Sequence, residues 1–172
     1  MTITANHRIA IVAGVVYALD QATKFVVSRY LDLAHQVVVV DGFFKLVHWA
    51  NTGAAWSMFP GNNVLLAVIS VLALLVLWFS KDHFEADRTL GQVALGLILG
   101  GILGNLTDRL VIGHVTDFLY FHLYRRGGGE LGFPAFNMAD SAICTGVGLL
   151  FLLSWRSERH AVSAPKGTAS EA

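Results

Sequence analysis

The chain has 172 residues; 55% are hydrophobic, 14% are charged, the mean hydropathy is +0.58 and the formal net charge is zero. Soluble domains carry about 25% charged residues, so the expected solvent is lipid, and a balanced charge gives no reason to expect a nucleic-acid partner. A single cysteine, Cys144, excludes an intrachain disulfide.

A membrane-crossing helix needs about 20 mostly apolar residues. The first such stretch is 8–28, interrupted by Asp20 and Lys24. Both charges are out of place in a cleaved leader, which also would be shorter. An outer loop, 29–62, follows. In it Val37 to Val40, then Asp41-Gly42, then an apolar run from Phe43 to Trp49 read as a β-hairpin. The second span, 63–79, holds no charge, and a short charged inner loop, 80–89, leads to the third span, 90–107. Gly96, Gly100 and Gly104 recur there every four residues, beside Gly101, a spacing that lets helix backbones approach closely in lipid. The second outer loop, 108–136, carries an aromatic stretch from Phe118 to Tyr124 and a flexible Arg125-Arg126-Gly127-Gly128-Gly129 segment. The fourth span is 137–155, and the small, polar tail 161–172 reads as disordered. No internal repeat of the transporter kind is visible.

The expected fold is therefore an all-α integral membrane protein: one four-transmembrane-helix bundle over residues 1–160 with a small extramembrane β segment on the outer face. Four crossings put both termini on one side. That side holds Arg8, Lys81, Arg88, Arg156, Arg159 and Lys166, against Arg29, Lys45, Arg109, Arg125 and Arg126 on the other. The positive-inside bias is small and favours cytoplasmic termini. Trp78 and Trp155 then mark the inner interface, and Trp49 and Trp56 the outer one.

Ionisable residues inside a span cost about 2.5–3.5 kcal/mol each and usually serve a function. Asp20 and Lys24 share a helix face and can pair. Asn105, Asp108 and Arg109 end span three, and Asn137, Asp140 and Ser141 begin span four. Counting spans puts all of these at the outer end, together with Asn51 and Asp117 of the outer loops. Several carboxylates, amides and an arginine converge at one interface. Two neighbouring carboxylates do not both ionise easily, so one acts as acid and one as base on a water. Asp117 and Asp140, each flanked by apolar residues, suit this pairing. Other readings are a hydrogen-bonded plug that fixes helix register, a metal site at His114, Asp117 and His122, catalysis by Cys144, and an ion path. The histidine spacing matches no common motif, Cys144 lacks a histidine within its span and reads as a packing residue, and an uncharged second span gives a channel nothing to use.

Five blocks in order carry a resemblance. They are Asp20-Gln21-Ala22-Thr23-Lys24; Asn51-Thr52-Gly53-Ala54-Ala55-Trp56-Ser57; Gly100 through Leu110, containing Asn105, Asp108 and Arg109; Gly113-His114-Val115-Thr116-Asp117-Phe118; and Phe136-Asn137-Met138-Ala139-Asp140-Ser141. Together they make the chain resemble the lipoprotein signal peptidases (signal peptidase II) of bacteria. The resemblance implies an inner-membrane aspartic endopeptidase. Such enzymes cut a prolipoprotein before its diacylglyceryl-modified cysteine. It implies a catalytic dyad of Asp117 and Asp140. Asp20, Lys24, Asn51, Gly53, Asn105, Arg109, Asn137 and Ala139 would hold substrate or shape the site. No metal or other cofactor is implied, and the partners are the lipid-modified substrate and membrane lipid. The enzyme is expected to be a monomer of the bacterial cytoplasmic membrane, its site near the outer leaflet.

Overall fold

The computed structural model describes residues 4–53, 58–59, 61–84 and 88–163, with side chains described as far as Arg156. Of the second sequence block, residues 54–57, Trp56 included, lie outside the described residues. The described residues form four α-helices: α1 (Ala5–Tyr30), α2 (Asn63–Phe79), α3 (Thr89–Val111) and α4 (Met138–Ser163). Three of them, α1, α3 and α4, are long and apolar enough to cross a membrane, while α2 has 17 residues. At 1.5 Å per residue α2 is about 25 Å long. α4 runs beyond the span read from sequence and into the start of the expected tail; residues 164–172 lie outside the described residues.

Successive helices alternate in direction. Arg8 near the start of α1 donates to Gln92 Oε1 (2.6 Å) and to Thr89 near the start of α3 (3.1 Å), so α1 and α3 run parallel. Asn63 at the start of α2 donates to the carbonyl of Arg109 at the end of α3 (2.8 Å), so α2 runs the opposite way. α3 is the central post. A Cβ on Gly96 or Gly100 would meet α1 at Ile9, Val12, Ala13 and Val16, and one on Gly101 would meet the Ala139 carbonyl of α4. A Cβ on Gly104 would collide with the Asp20 carboxylate. Between α1 and α3, Ile9, Ala13, Leu95 and Leu99 form the apolar core.

Polarity is inside out. Ile11, Val15, Leu19 and Phe25 on α1 are exposed, and α2 buries only Leu66 and Ala67. Asp20, Lys24, Asn105 and Asp108 are buried. Such a distribution is stable where the surroundings are hydrocarbon.

The β segment is larger than the sequence suggested. β1 (Gln36–Val40), β2 (Phe44–Asn51), β3 (Val115–Tyr124) and β4 (Glu130–Gly132) form one antiparallel sheet in that order. The β1–β2 hairpin turns at Gly42, whose φ of 70° suits glycine. The stretch read as an aromatic loop is strand β3, and Asp117 stands on it. Its register on β2 sets Leu119 against Leu46 and Phe121 against Phe44, with a bulge in β2 between Leu46 and Trp49. Phe121 stacks on Phe44 (4.8 Å) and Phe136 (5.9 Å), which fixes that register. Residues 125–129, expected to be flexible, close a turn: Arg125 N–H donates to the Gly129 carbonyl (3.1 Å) and Gly128 N–H to the Arg125 carbonyl (3.0 Å). Gly128 and Gly129, at φ 89° and 85°, supply the left-handed conformations that the turn requires.

A Cβ on Gly100 would lie 2.6 Å from the Ala13 carbonyl oxygen, a backbone atom that cannot rotate away. Gly100→Val should destabilise the folded protein by about 1–3 kcal/mol through overpacking. A fall in the detergent melting temperature, absent in Gly148→Val, where a Cβ meets nothing, is the expected result.

Candidate active site

The site begins with one buried cation. Lys24 Nζ lies 2.8 Å from Asp20 Oδ2, 3.0 Å from Asp108 Oδ2 and 2.9 Å from Asn105 Oδ1, which accounts for all three of its protons. Asp20 and Lys24 stand one turn apart on α1, and Asn105 and Asp108 one turn apart on α3, so two helical faces meet across the gap left by Gly104. Gln21 braces the pair from the side, donating to Asp20 Oδ2 (3.2 Å) and Asp108 Oδ1 (3.1 Å).

From this cluster, bonds run to each element that bears a candidate residue. Asp20 Oδ1 accepts from the Ala139 N–H in the first turn of α4 (2.9 Å), which also suits the positive end of that helix. Asp108 Oδ2 accepts from the Thr116 N–H in β3 (3.1 Å) and so anchors the residue before Asp117. Asn137, read from sequence as the first residue of span four, is instead the cap of α4. Its Oδ1 accepts from the Asp140 N–H (3.0 Å) while Asp140 Oδ2 accepts from the Asn137 N–H (3.2 Å), a reciprocal capping box.

Three asparagines then aim their amides at the two carboxylates. Asn105 Nδ2 donates to Asp140 Oδ1 (2.7 Å), Asn137 Nδ2 to Asp117 Oδ1 (2.9 Å) and Asn51 Nδ2 to Asp117 Oδ2 (2.9 Å). In each case the amide oxygen accepts from a group that can only donate: Lys24 Nζ, the Asp140 N–H and the Gly53 N–H (2.9 Å). The NH2 ends therefore have to face the carboxylates. Arg109 Nη2 donates to the Gly53 carbonyl (3.0 Å) and ties the Asn51–Gly53 turn to α3; its buried Nε has no partner among the described residues.

Asp117 and Asp140 line one cleft of about 760 Å³, with Asn51, Asn105, Arg109 and Phe136 on its walls. Burial first, and then the negative charge of Asp140, push the Asp117 carboxyl up to about 7; the bonds from Asn51 and Asn137 pull the other way and lose. A water placed between the two carboxyls would have an acid and a base at hand.

All ten residues singled out from the sequence meet around this cleft and its Lys24 cluster. Sequence reading did not assign roles to Gln21, Asp108 and Thr116, although Gln21 and Asp108 stand within the quoted blocks, one turn from Lys24 and Asn105. Cys144 does not pack, as expected of it, but is exposed in the cleft wall. His122 lies five residues beyond Asp117 on β3, with Nδ1 3.8 Å from Glu130 Oε1. Lys45 and Glu130 pair at 2.5 Å beside it, which holds the Glu130 carboxyl below its ordinary range.

A family model described as Signal peptidase (SPase) II matches residues 12–156. A lipoprotein signal peptidase of Syntrophotalea carbinolica is 41% identical over 157 residues, covering 88% of this chain and 94% of the relative. One of Geobacter sulfurreducens is 42% identical over 147 residues, covering 83% and 88%. A solved bacterial membrane enzyme superposes with a TM-score of 0.74 at 27% identity, covering 94% of this chain and 93% of that one.

Two outcomes follow from the geometry. Lys24→Met leaves Asp20 and Asp108 buried without their cation and should cost about 3–5 kcal/mol, seen as a large drop in melting temperature. Asp117 binds its proton more tightly folded than unfolded. Its contribution to stability is complete below the ordinary carboxylate range and is lost as pH rises through about 7. Asp117→Asn should remove this loss, so the melting temperature of the variant relative to wild type should climb from about pH 4 to about pH 7 and level off above it; a difference that stays constant would contradict the assignment.

Proposed function

The chain belongs to the signal peptidase II family of membrane peptidases, and we propose that it cuts prolipoproteins just before their diacylglyceryl-modified cysteine, using Asp117 and Asp140 as a dyad that shares one proton. The observation that carries this reading is that both carboxylates are held from Asn137, through its amide and its backbone N–H, at the wall of one cleft.

In the reaction, the ionised carboxyl takes a proton from the bound water as its oxygen attacks the scissile carbonyl carbon. The protonated carboxyl gives its proton to the carbonyl oxygen, forming a neutral gem-diol. As the C–N bond breaks, the dyad gives its proton to the amide nitrogen and takes one from a gem-diol hydroxyl, so that a carboxylic acid and an amine leave and the dyad is again singly protonated. Asn105, Asn137 and Asn51 keep the carboxylates aimed, and Arg109, on the cleft wall, is the candidate donor to the carbonyl oxygen. Asp20 and Lys24 set the relative positions of α1, α3 and α4, and Gly53 and Ala139 supply backbone groups that lock the Asn51 turn and the start of α4.

α2 joins α1, α3 and α4 as a fourth span, with both termini in the cytoplasm and the carboxylates near the outer leaflet. Support comes from the depth of the polar cluster: the end of α1, the end of α3 and the start of α4 meet at one end of the bundle. A substrate anchored by its acyl chains presents its scissile bond at that depth. The apolar outer surfaces of the helices suit the signal segment and the acyl chains, and the enzyme acts as a monomer without a metal.

The test is a cleavage assay in detergent with a diacylglyceryl-modified prolipoprotein and its unmodified precursor, in the presence of a chelator. Wild type should cut only the modified form, and Asp117→Asn and Asp140→Asn should each lose about 100-fold or more. Cleavage undiminished in both variants would sink the dyad. The rate should follow a bell-shaped pH curve belonging to the pair. Its alkaline limb should fall near pH 7, where the Asp117 carboxyl loses its proton; a flat profile with chemistry rate-limiting would count against shared-proton catalysis.

A further inference from the structure

β2 has an open edge where it borders the cleft. On the β1 side, the His48 N–H donates to the His35 carbonyl (3.1 Å) and the His48 carbonyl accepts from the Ala34 N–H (2.8 Å). Backbone groups alternate along a strand, so Ala50, two residues on, directs its N–H and C=O to the same side. The β3 side gives the same answer independently. Ala50 stands opposite Thr116. The Thr116 N–H is spent on Asp108 Oδ2 (3.1 Å), and the Thr116 carbonyl accepts from Asn137 Nδ2 (3.4 Å). Thr116 thus turns both groups away from β2, as in a non-hydrogen-bonded antiparallel pair, and its partner Ala50 must turn both groups away from β3.

Among the described residues no strand fills the place beside Ala50. β1 runs antiparallel to β2, and its last backbone bonds reach only to His48 before the chain turns back to α1. Among the described residues, no hydrogen bond reaches the outward N–H or C=O of Ala50. Ala50 is exposed and lines the same cleft as Asp117 and Asp140. Its neighbours are Trp49, paired with Asp117 across the sheet, and Asn51, bonded to the Asp117 carboxylate. An unpaired edge of this kind is a template for an extended peptide.

We propose that the free edge at Ala50 binds the main chain of the substrate by strand addition, taking the segment that follows the lipid-modified cysteine. The Ala50 N–H donates to a substrate carbonyl, and the Ala50 carbonyl accepts from a substrate N–H. The side of the scissile bond follows from the layout of the cleft. Beyond Asp140 its wall continues along α4 through Ile143 and Cys144, into the helical bundle, where an apolar signal segment belongs. The sheet lies at the opposite end, toward the mature chain. Pairing by backbone alone would hold many mature sequences at one register, because it reads no side chain. This inference rests on the peptidase reading above.

The experiment uses the full-length enzyme in detergent and synthetic diacylglyceryl-modified lipopeptides, each with a single backbone N-methyl group at one of the positions after the cysteine. Strand addition predicts one sensitive position, with KM raised about three- to tenfold, as expected for one lost hydrogen bond, and kcat unchanged. The adjacent positions, whose N–H groups point away, should stay within about twofold. Ala50→Pro removes the enzyme's own outward N–H without touching the β2–β3 ladder, as edge strands allow, and should raise KM for the unmethylated lipopeptide to a similar degree. Should that variant fail to fold, the methyl scan decides alone. Equal rates for every methylated lipopeptide, or equal losses at every position, would overturn strand addition while the peptidase reading stands. Failure of wild type to cut the parent lipopeptide would overturn both.

Discussion

The three hydrogen bonds of the Lys24 ammonium organise the rest of the structure. A cation withdrawn from water is tolerated only when its charge is balanced and its protons are all placed. Asp20 and Asp108 balance it, and Asn105 takes the third proton. Each partner uses its remaining valence on something else: Asp20 on the first turn of α4, Asp108 on the backbone of β3, and Asn105 on the carboxylate of Asp140. One ammonium group thereby sets the mutual position of three helices, a strand and one of the two cleft carboxylates. The glycines of α3 make this possible. A side chain at position 104 would stand where the Asp20 carboxylate lies.

The two cleft carboxylates are held by similar contacts yet face different surroundings. Each accepts a bond at both oxygens, and none of those donors is a cation. Asp117 stands on a strand and Asp140 in the first turn of a helix. Burial first, and then the negative charge of Asp140, raise the Asp117 carboxyl, so it holds its proton more tightly than an ordinary carboxyl. The asparagines hold direction without adding charge. An arginine or lysine in their place would favour the ionised form of both groups and leave no acid for the proposed reaction.

The sheet meets the cleft at the end where its two central strands outrun their outer neighbours. β3 there carries Asp117 and is tied to the bundle by Asp108 and Asn137. β2 there keeps its pairing to β3, while among the described residues its β1-facing side has no partner at Ala50. The bulge between Leu46 and Trp49 shifts the register just ahead of this point, and bulges re-aim the side chains that follow them. The helices, by contrast, spend most of their apolar surface outward. Among the described residues α2 touches the rest of the protein mainly through α3, and most of its remaining apolar surface is exposed.

Several features follow from the sequence alone. Runs of apolar residues longer than a soluble helix needs, with few charges, fix a helical membrane protein, because transfer cost depends on composition and length. The charges within those runs mark the site for the same reason: nothing but function or pairing offsets their cost. Asp20 with Lys24, and Asn105 with Arg109, share faces by helical period, and the Asp41-Gly42 turn is legible in the hairpin. The five blocks identify the family. Tertiary structure alone decided the rest. Strand β3 was hidden because its aromatic residues pack on both faces and its partner β2 lies more than sixty residues earlier in the chain, a pairing that no local pattern encodes. Asn137 looked helical, and its capping role depends on the Asp140 side chain folding back onto it. Gly104 read as one more small residue in a stripe, whereas its position opposite Asp20 belongs to the packing of α1 on α3. Composition and period report how a segment meets its solvent; which buried groups meet each other is a property of the assembled bundle.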